Sequence, residues 1–218
     1  TADTIRVLMP KYYGMVKCID DNVGRILGAL RRSGQIDNTI IVLTSDHGDL
    51  CGEHGRLNKG VPYEGSARIP FLLRCPGKVP EGTVVNEALS CVDFLPTVLK
   101  LMDVKTAGKE QGRDASALFA GKQTEWKDLA FIRATSSSKP WICAVSDRYK
   151  LVLSSEDRPW LFDLQKDPDE LVNRADDPNL KETLRSFAAG IVRYCKEYND
   201  PYGANPPIRK MIREILSE

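Results

Sequence analysis

Residues 39–48 read Thr39-Ile-Ile-Val-Leu-Thr-Ser-Asp-His-Gly48, and this stretch decides the fold. Its first six residues are short, continuous and mostly β-branched, which is typical of a strand that helices bury on both faces. Asp46 and His47 follow at the carboxyl end of this strand. In open α/β sheets, ligands bind just beyond the carboxyl ends of the strands. The stretch therefore predicts a buried strand that carries a functional loop.

Helices and a second strand are predicted around this first strand. Residues 15–33 place apolar side chains at steps of three and four, and Gly34 stands where a left-handed helix cap belongs. We expect residues 1–6 to form a polar stub before this helix. The run 68–74 predicts another strand and residues 93–102 another helix. Together these elements predict an α/β layer.

The C-terminal part of the chain predicts a smaller unit. Four strand-like pieces with short connections favour an antiparallel sheet. They are residues 129–134, 141–146, 149–154 and 160–164. An amphipathic helix over residues 179–198 is expected to cover one face of that sheet, and a short helix over 208–216 follows. The predicted divisions are an α/β unit (1–102), a connector (103–128) and a small α+β domain (129–218).

The composition bears on partners and compartment. The 218 residues carry 31 Lys and Arg against 30 Asp and Glu, so no bulk field would hold a polyanion and nucleic acid is not expected as a partner. No apolar stretch approaches the roughly 18–20 residues of a membrane span, so we expect a soluble domain without a membrane partner. The six cysteines form no C-x-x-C pair, which argues against a zinc ribbon. Buried free thiols and disulfides both fit.

The loop after the first strand concentrates the candidate chemistry. Both histidines of the chain, His47 and His54, fall within residues 45–55. The whole segment 45–67 lacks periodicity and is rich in glycine, and loops of this length in compact domains are usually functional or disordered. His54 has a ring suited to proton transfer at neutral pH, although a surface imidazole is the simpler interpretation.

Asp46 and His47 form a possible half of a metal site, because they offer a hard oxygen and a borderline nitrogen. Two ligands are too few, so other segments must supply the rest, and Asp49 and Glu53 could contribute. Lys59 would be repelled by such a cation unless an anion lay between them, and an anionic substrate would be attracted to both. Alternatively, Asp46 caps a turn, His47 is an ordinary loop residue and Lys59 is simply solvated.

Three further features have structural interpretations. Glu64 and Arg68, four residues apart, predict an ion pair or loop anchor. Asp93 lies near a helix start and is expected to cap it. The run 162–170 is expected to be a strand end followed by a solvated turn, with no catalytic role.

Taken in order, several segments resemble the C-terminal half of a sulfatase of the alkaline-phosphatase superfamily. The first are residues 12–24, 38–48, Gly52-Glu-His-Gly55, Lys59-Gly60, Tyr63-Glu-Gly65, Arg68-Ile-Pro70 and Pro76-Gly77. The later ones are Arg148-Tyr-Lys-Leu-Val152, residues 161–168, Glu170 and Asn173. No single motif is decisive, but their joint order is specific and covers nearly the whole chain. The resemblance implies the C-terminal part of an alkaline-phosphatase-like α/β sandwich, followed by a small antiparallel sheet packed with a helix.

The resemblance also implies residue roles. Asp46 and His47 stand at the paired metal ligands that follow a core strand, and Lys59 stands at the lysine that contacts the sulfate group and its leaving oxygen. His54 is expected to bind substrate, which would be a sulfated small molecule or glycan. Family enzymes hydrolyse sulfate esters with a formylglycine made from Cys or Ser, while calcium polarises the sulfate oxygens.

The chain departs from the family pattern at the metal site. Many sulfatases carry Asn where His47 stands, and imidazole is an unusual ligand for Ca²⁺. We expect Ca²⁺ first, while Mn²⁺ or Zn²⁺ would suit a nitrogen ligand better. A phosphonate or phosphodiester hydrolase of the same superfamily is therefore an alternative function.

A larger departure concerns the nucleophile. The family motif, Cys or Ser followed at short spacing by Pro and then Arg, is absent, since Cys75 is followed directly by Pro76. The formylglycine and the remaining acidic ligands are expected in an N-terminal half of the same protein, which would be the partner of this chain. We therefore expect these residues alone to be inactive. A non-catalytic ligand-binding module is the remaining alternative, and the compartment, including a periplasmic or secreted one, stays open.

Overall fold

The structure is a computed structural model that describes residues 2–105, 108, 110–134 and 138–217. Parts of the predicted connector, at residues 106, 107 and 109, lie outside the described residues. The described helices are α1 (Ala2–Arg32), α2 (Glu64–Ala67), α3 (Phe94–Leu101), α4 (Ser116–Phe119), α5 (Lys181–Glu197) and α6 (Pro206–Ser217). The described strands are β1 (Ile41–Thr44), β2 (Phe71–Arg74), β3 (Ala130–Arg133), β4 (Trp141–Val145), β5 (Tyr149–Ser154) and β6 (Trp160–Asp163).

Helix α1 is longer than its sequence pattern predicted. The expectation of a polar stub is wrong, because the helix already begins at Ala2. Ala2 has the highest helix propensity of any residue, the acidic Asp3 suits the first turn of a helix, and the guanidinium of Arg6 donates a 2.8 Å hydrogen bond to Asp3. The predicted end is confirmed, since Gly34 follows the helix with a φ of 70°.

Strand β1 pairs antiparallel with β2, with Val42 opposite Leu73. The prediction that helices bury this strand on both faces is wrong. Ile41 and Val42 are half-buried, whereas Leu43 and Thr44 are exposed. The physical reason is that this sheet has only two strands in the described part of the chain, so it leaves apolar surface open.

The C-terminal sheet is antiparallel with the order β3-β4-β5-β6, as predicted. Helices α5 and α6 cover one of its faces, which confirms the predicted packing of a sheet against a helix. The core between them consists of fully buried aliphatic side chains. They include Ile142, Leu151, Leu153, Leu161, Ile191 and Ile208.

The opposite face of this sheet is buried as well. Successive side chains of a strand point to opposite faces, so Lys150 and Val152 of β5 point away from α5. Lys150 lies opposite Phe162 of β6 in the register. Both Lys150 and Val152 are buried, because the loop between β1 and β2 crosses this face.

The middle of the connector packs against α3. The N-cap of this helical region is Ser90 rather than the predicted Asp93, which instead completes a capping box because its carboxylate accepts a 2.9 Å hydrogen bond from the N–H of Ser90. The same carboxylate accepts a 2.7 Å bond from the N–H of Arg113. The Thr97 hydroxyl accepts a 2.9 Å bond from the N–H of Ala115. The boundaries at residues 102 and 129 stay a prediction.

The cysteines and the helix lengths bear on the predicted thiol burial and on membrane-spanning segments. The thiols of Cys75, Cys143 and Cys195 are buried, whereas Cys18 and Cys91 are exposed. None of the described helices combines the length and the apolar character that crossing a bilayer requires.

Candidate functional site

The site loop, residues 45–67, folds back on itself between β1 and β2. The carbonyl of Asn58 accepts a 2.8 Å hydrogen bond from the N–H of Leu50. The carbonyl of Ser66 accepts a 2.9 Å bond from the N–H of Gly48, and its hydroxyl accepts a 3.2 Å bond from the N–H of Gly60. Buried Ser66 therefore ties the backbone just after His47 to the backbone just after Lys59.

Two glycines allow this loop to pack closely. A Cβ on Gly48 would lie 2.1 Å from the carbonyl oxygen of Gly65, so a side chain at this position would displace backbone. Gly52 has a φ of 107°, and a Cβ there would lie 2.7 Å from Cδ1 of Ile5 in α1. The site loop is thus held from within and by the first turns of α1.

Asp46 and His47 present two ligand atoms side by side. Nδ1 of His47 lies 2.7 Å from the carbonyl oxygen of Gly48. Because a carbonyl only accepts, Nδ1 must carry the proton, and the neutral ring then offers a lone pair on Nε2. That Nε2 lies 3.4 Å from Oδ2 of Asp46. Two atoms bound at right angles to one Ca²⁺ at about 2.4 Å would be separated by about 3.4 Å.

The carboxylate of Asp46 is held in its charged form. The backbone N–H of His47 donates a 2.9 Å hydrogen bond to Oδ1, and this bond is the main reason that the pKa of Asp46 lies below its usual value. Lys59 contributes to the same lowering of the pKa through its positive charge. The hydrogen bond from the N–H of Cys51 is the main reason that the pKa of Asp49 is lowered, and the charge of Lys59 lowers it further. The positive charge of Lys59 thus favours the charged form of both carboxylates.

His54 lies in a short 3-10 turn, Glu53–Gly55, with a φ of 52°. Its ring stacks on the ring of Tyr63 with centroids 3.6 Å apart and an angle of 9° between the planes. Tyr63 stacks in turn on Trp160 of β6 at 5.6 Å. One ring face of His54 is therefore covered by Tyr63.

Asp49 and Glu53 do not complete a metal site. The carboxylate of Asp49 accepts bonds from the N–H of Cys51 at 2.9 Å and from its thiol at 3.3 Å, so it serves the loop itself. The carboxylate of Glu53 packs over Gly65. Among the residues that the structure describes, no group of three or more His, Cys, Asp or Glu side chains could hold a metal ion. Asp46 and His47 thus fit half of a cation site.

A buried ion cluster beside the site was missed by sequence reasoning. Arg68 lies 3.9 Å from Oε2 of Glu64, but the closer partner of Glu64 is Lys150, whose Nζ lies 2.5 Å from Oε1. The expectation of a solvated turn is wrong for Glu170, which is only 4% exposed and accepts a 2.7 Å bond from Lys150. The turn after β6 folds this carboxylate back under the sheet. The available signal was a lysine inside the otherwise apolar strand 149–153.

Comparisons with known proteins agree with this architecture. The family model "Sulfatase" matches residues 2–104. The arylsulfatase of Clostridium perfringens is 36% identical over 180 residues, which is 79% of this chain and 37% of that protein. The chain spans about two-fifths of the length of the relatives it matches.

Solved structures show the same relationship. The structure of BT4656 in complex with its substrate, D-glucosamine-2-N,6-O-disulfate, matches with a TM-score of 0.75 and 27% identity, over 89% of this chain and 41% of that one. The phosphonate monoester hydrolase of Agrobacterium radiobacter matches with a TM-score of 0.70 and 27% identity, over 85% of this chain and 40% of that one.

The fold is therefore that of the alkaline-phosphatase superfamily, as the sequence predicted. Within that superfamily, the chain belongs to the sulfatase family. Sulfatases generally use a metal ion and a formylglycine. Asp46 and His47 could provide two of the ligands for a metal ion of this kind.

Proposed function

We propose that this chain supplies one side of the active site of a sulfatase, an enzyme that hydrolyses sulfate esters. The observation that carries the proposal is the single loop that holds two cation-ligand atoms, on Asp46 and His47, and the ammonium of Lys59. Ser66 binds the backbone at both ends of this arrangement. A divalent cation and an ammonium repel each other, and a sulfate group between them would relieve that repulsion.

In this proposal Asp46 and His47 would hold the cation through Oδ2 and Nε2. Ca²⁺ is the first expectation, and Mn²⁺ or Zn²⁺ would suit the nitrogen of His47. When bound, the cation would polarise the sulfate oxygens. The formylglycine nucleophile and the other ligands would come from residues that this chain does not contain.

The roles of the remaining site residues follow from their charge and position. Lys59 would bind a sulfate oxygen and stabilise the negative charge that develops on the leaving oxygen. His54, stacked on Tyr63, would bind the substrate through its ring edge. BT4656 acts on a disulfated glucosamine, and by analogy we propose a sulfated small molecule or glycan as the substrate class.

The partner of this chain would be the N-terminal half of the same protein. Leu72 of β2 is 62% exposed and no described residue of α1 is buried. A further part of the α/β layer would cover these apolar surfaces.

Phosphonate or phosphodiester hydrolysis is the second candidate function. The observation that favours it is the nitrogen ligand of His47, together with the match to a phosphonate monoester hydrolase. A sulfate monoester and a phosphonate monoester both carry one negative charge, but they differ in the central atom and in the carbon substituent that phosphorus carries, so assays with paired substrates discriminate between the two functions.

The test uses a longer polypeptide that carries this chain, with its bound metal quantified by elemental analysis. We expect faster turnover of 4-nitrophenyl sulfate than of 4-nitrophenyl phenylphosphonate. Preference for the phosphonate would favour the second candidate. Binding of a sulfated ligand without turnover of either ester would indicate a non-catalytic binding module and contradict the proposal.

A further inference from the structure

The C-terminal sheet contacts a short part of the site loop, residues 60–64, which we name the anchor segment. Four contacts from β4, β5, β6 and the turn after β6 reach it within five residues. They are Trp141 Nε1 to the Gly60 carbonyl at 3.2 Å, Lys150 Nζ to the Pro62 carbonyl at 2.8 Å, the Trp160 ring on the Tyr63 ring at 5.6 Å, and the Glu64 N–H to Glu170 Oε2 at 2.6 Å.

Lys150 and Glu170 form the buried centre of these contacts. The side chain of Lys150 is fully buried and that of Glu170 is nearly so. Burial works against the ammonium, but the carboxylates of Glu64 and Glu170 outweigh it, so the pKa of Lys150 lies above its usual value. Buried charges are costly unless they are paired and hydrogen-bonded, and here each polar group has a partner.

These contacts hold the backbone directly after Lys59, the candidate catalytic lysine. Lys59 directly precedes Gly60, whose carbonyl binds Trp141 and whose N–H binds Ser66. The same Ser66 binds the backbone after His47. Tyr63, between two of the gripped backbone groups, carries the stacked ring of His54. The anchor segment therefore connects the C-terminal sheet to every predicted site residue of the loop.

A second ion pair in the same sheet has no such connection. Arg148, directly before β5, pairs with Asp163 of β6 at 3.0 Å, and the hydrogen bonds of Asp163 remain within the C-terminal part. Pairing across the sheet therefore does not require contact with the site loop. This pair serves as a matched reference for Lys150 and Glu170.

We propose that Lys150 and Glu170 are positioning residues, which hold the Pro62 carbonyl and the Glu64 N–H and thereby place the ammonium of Lys59 against an anionic ester. This inference rests on the proposed function of Lys59. The C-terminal sheet would then contribute to catalysis without touching the substrate, by fixing the loop that does.

The first experiment measures amide hydrogen exchange in the full 218-residue chain and needs neither metal nor substrate. In Glu170→Gln, we expect the amides of Glu64, Gly60 and Gly48 to exchange at least about tenfold faster, because a charge-assisted bond to the anchor segment is weakened. The amides of the β5 core should accelerate clearly less than these three loop amides. Asp163→Asn, the same chemical change in the same sheet, should leave the three loop amides unchanged.

A merely stabilising role predicts a different pattern, in which loop and core amides accelerate together in Glu170→Gln. That pattern, or unchanged loop amides in the folded variant, would overturn the inference. If Glu170→Gln does not fold, Trp141→Phe removes the indole donor to Gly60 while keeping an aromatic ring. It should accelerate exchange at Gly60 with the core unchanged, and an unchanged Gly60 would overturn the inference.

The second experiment measures turnover of 4-nitrophenyl sulfate by a longer polypeptide that carries this chain. We expect Glu170→Gln to lower kcat about ten- to hundredfold, with a smaller change in KM, because misplacement of Lys59 weakens the transition state most. Asp163→Asn should retain kcat. An unchanged kcat in Glu170→Gln would overturn the positioning role. Absence of turnover in the unsubstituted polypeptide would instead contradict the proposed function. The exchange result would then test only whether Lys150 and Glu170 hold the anchor segment.

Discussion

The carbonyl oxygen of Ser66 accepts a 2.9 Å hydrogen bond from the N–H of Gly48. This bond joins the strand end that carries Asp46 and His47 to the far side of the loop that carries Lys59. It forms only because the two backbones approach closely, since a Cβ on Gly48 would lie 2.1 Å from the neighbouring carbonyl of Gly65. The absence of a side chain at residue 48 is thus a condition for assembling the site.

Gly48→Ala should therefore destabilise the chain. We expect a loss of about 1–3 kcal/mol in the free energy of unfolding, because backbone must move to admit the methyl group. Urea denaturation followed by circular dichroism measures it. Gly24→Ala in α1, where a Cβ meets nothing within 4 Å, should instead stabilise slightly. Equal effects of both substitutions would show that the close approach at Gly48 is unimportant.

The ion pair of Asp163 predicts a pH dependence of stability. Hydrogen bonds from Arg148 are the main reason that the pKa of Asp163 lies below its ordinary value of 3.8. A carboxyl group with a lowered pKa in the folded state contributes its full stability above the unfolded pKa, and loses it as the pH falls through the folded one.

Asp163→Asn should therefore lower the free energy of unfolding by about 1–2 kcal/mol at neutral pH. The difference from the unsubstituted chain should shrink once the pH falls below 3.8 and vanish below the lowered pKa. Denaturation curves over this pH range measure it. Asp176→Asn, which removes an exposed pair with Arg158, should change little at any pH. A difference for Asp163→Asn that persists in strong acid would refute this explanation.

The apolar surface of α1 predicts self-association of the isolated chain. Ile19 and Ile26 are 58% and 61% exposed, and contiguous exposed apolar surface drives association. Analytical ultracentrifugation should show a mass that rises with concentration, and Ile19→Glu with Ile26→Glu should reduce this rise. Val192→Glu on α5 serves as the control and should not. A monomer at every concentration would favour the binding-module alternative.

The isolated 218-residue chain should not hydrolyse sulfate esters. It contains no Cys or Ser followed at short spacing by Pro and then Arg, and its described residues offer only half of a metal site. Incubation with 4-nitrophenyl sulfate and Ca²⁺ tests this directly. Release of nitrophenol well above a Lys59→Ala background would show that the chain carries a complete site.

Local patterns predicted much of this fold. The strands of the C-terminal sheet and helices α3, α5 and α6 follow from periodicity and turn residues, which depend on near neighbours. The burial of β1 did not follow, because burial depends on which other strands and helices are present. The start of α1 was also missed, since residues 2–6 carry no apolar period to detect.

The candidate site shows the same limit. Asp46, His47 and Lys59 were predicted as site residues from one stretch of sequence, because a strand end and a glycine-rich loop mark it. The partners Lys150 and Glu170 lie 88 and 106 residues from the loop groups that they bind. No spacing rule connects such distant residues, although an ammonium inside an apolar strand indicated that a buried counter-charge was needed.

The most direct test of the account replaces Lys59 in a longer polypeptide that carries this chain and turns over 4-nitrophenyl sulfate. We predict that Lys59→Ala lowers kcat/KM by about 100-fold or more, as loss of a charged group at the leaving oxygen would. Lys122→Ala, on an exposed turn of the connector, should be without effect. Equal activity of the two variants would contradict the assignment of the site loop to sulfate-ester hydrolysis.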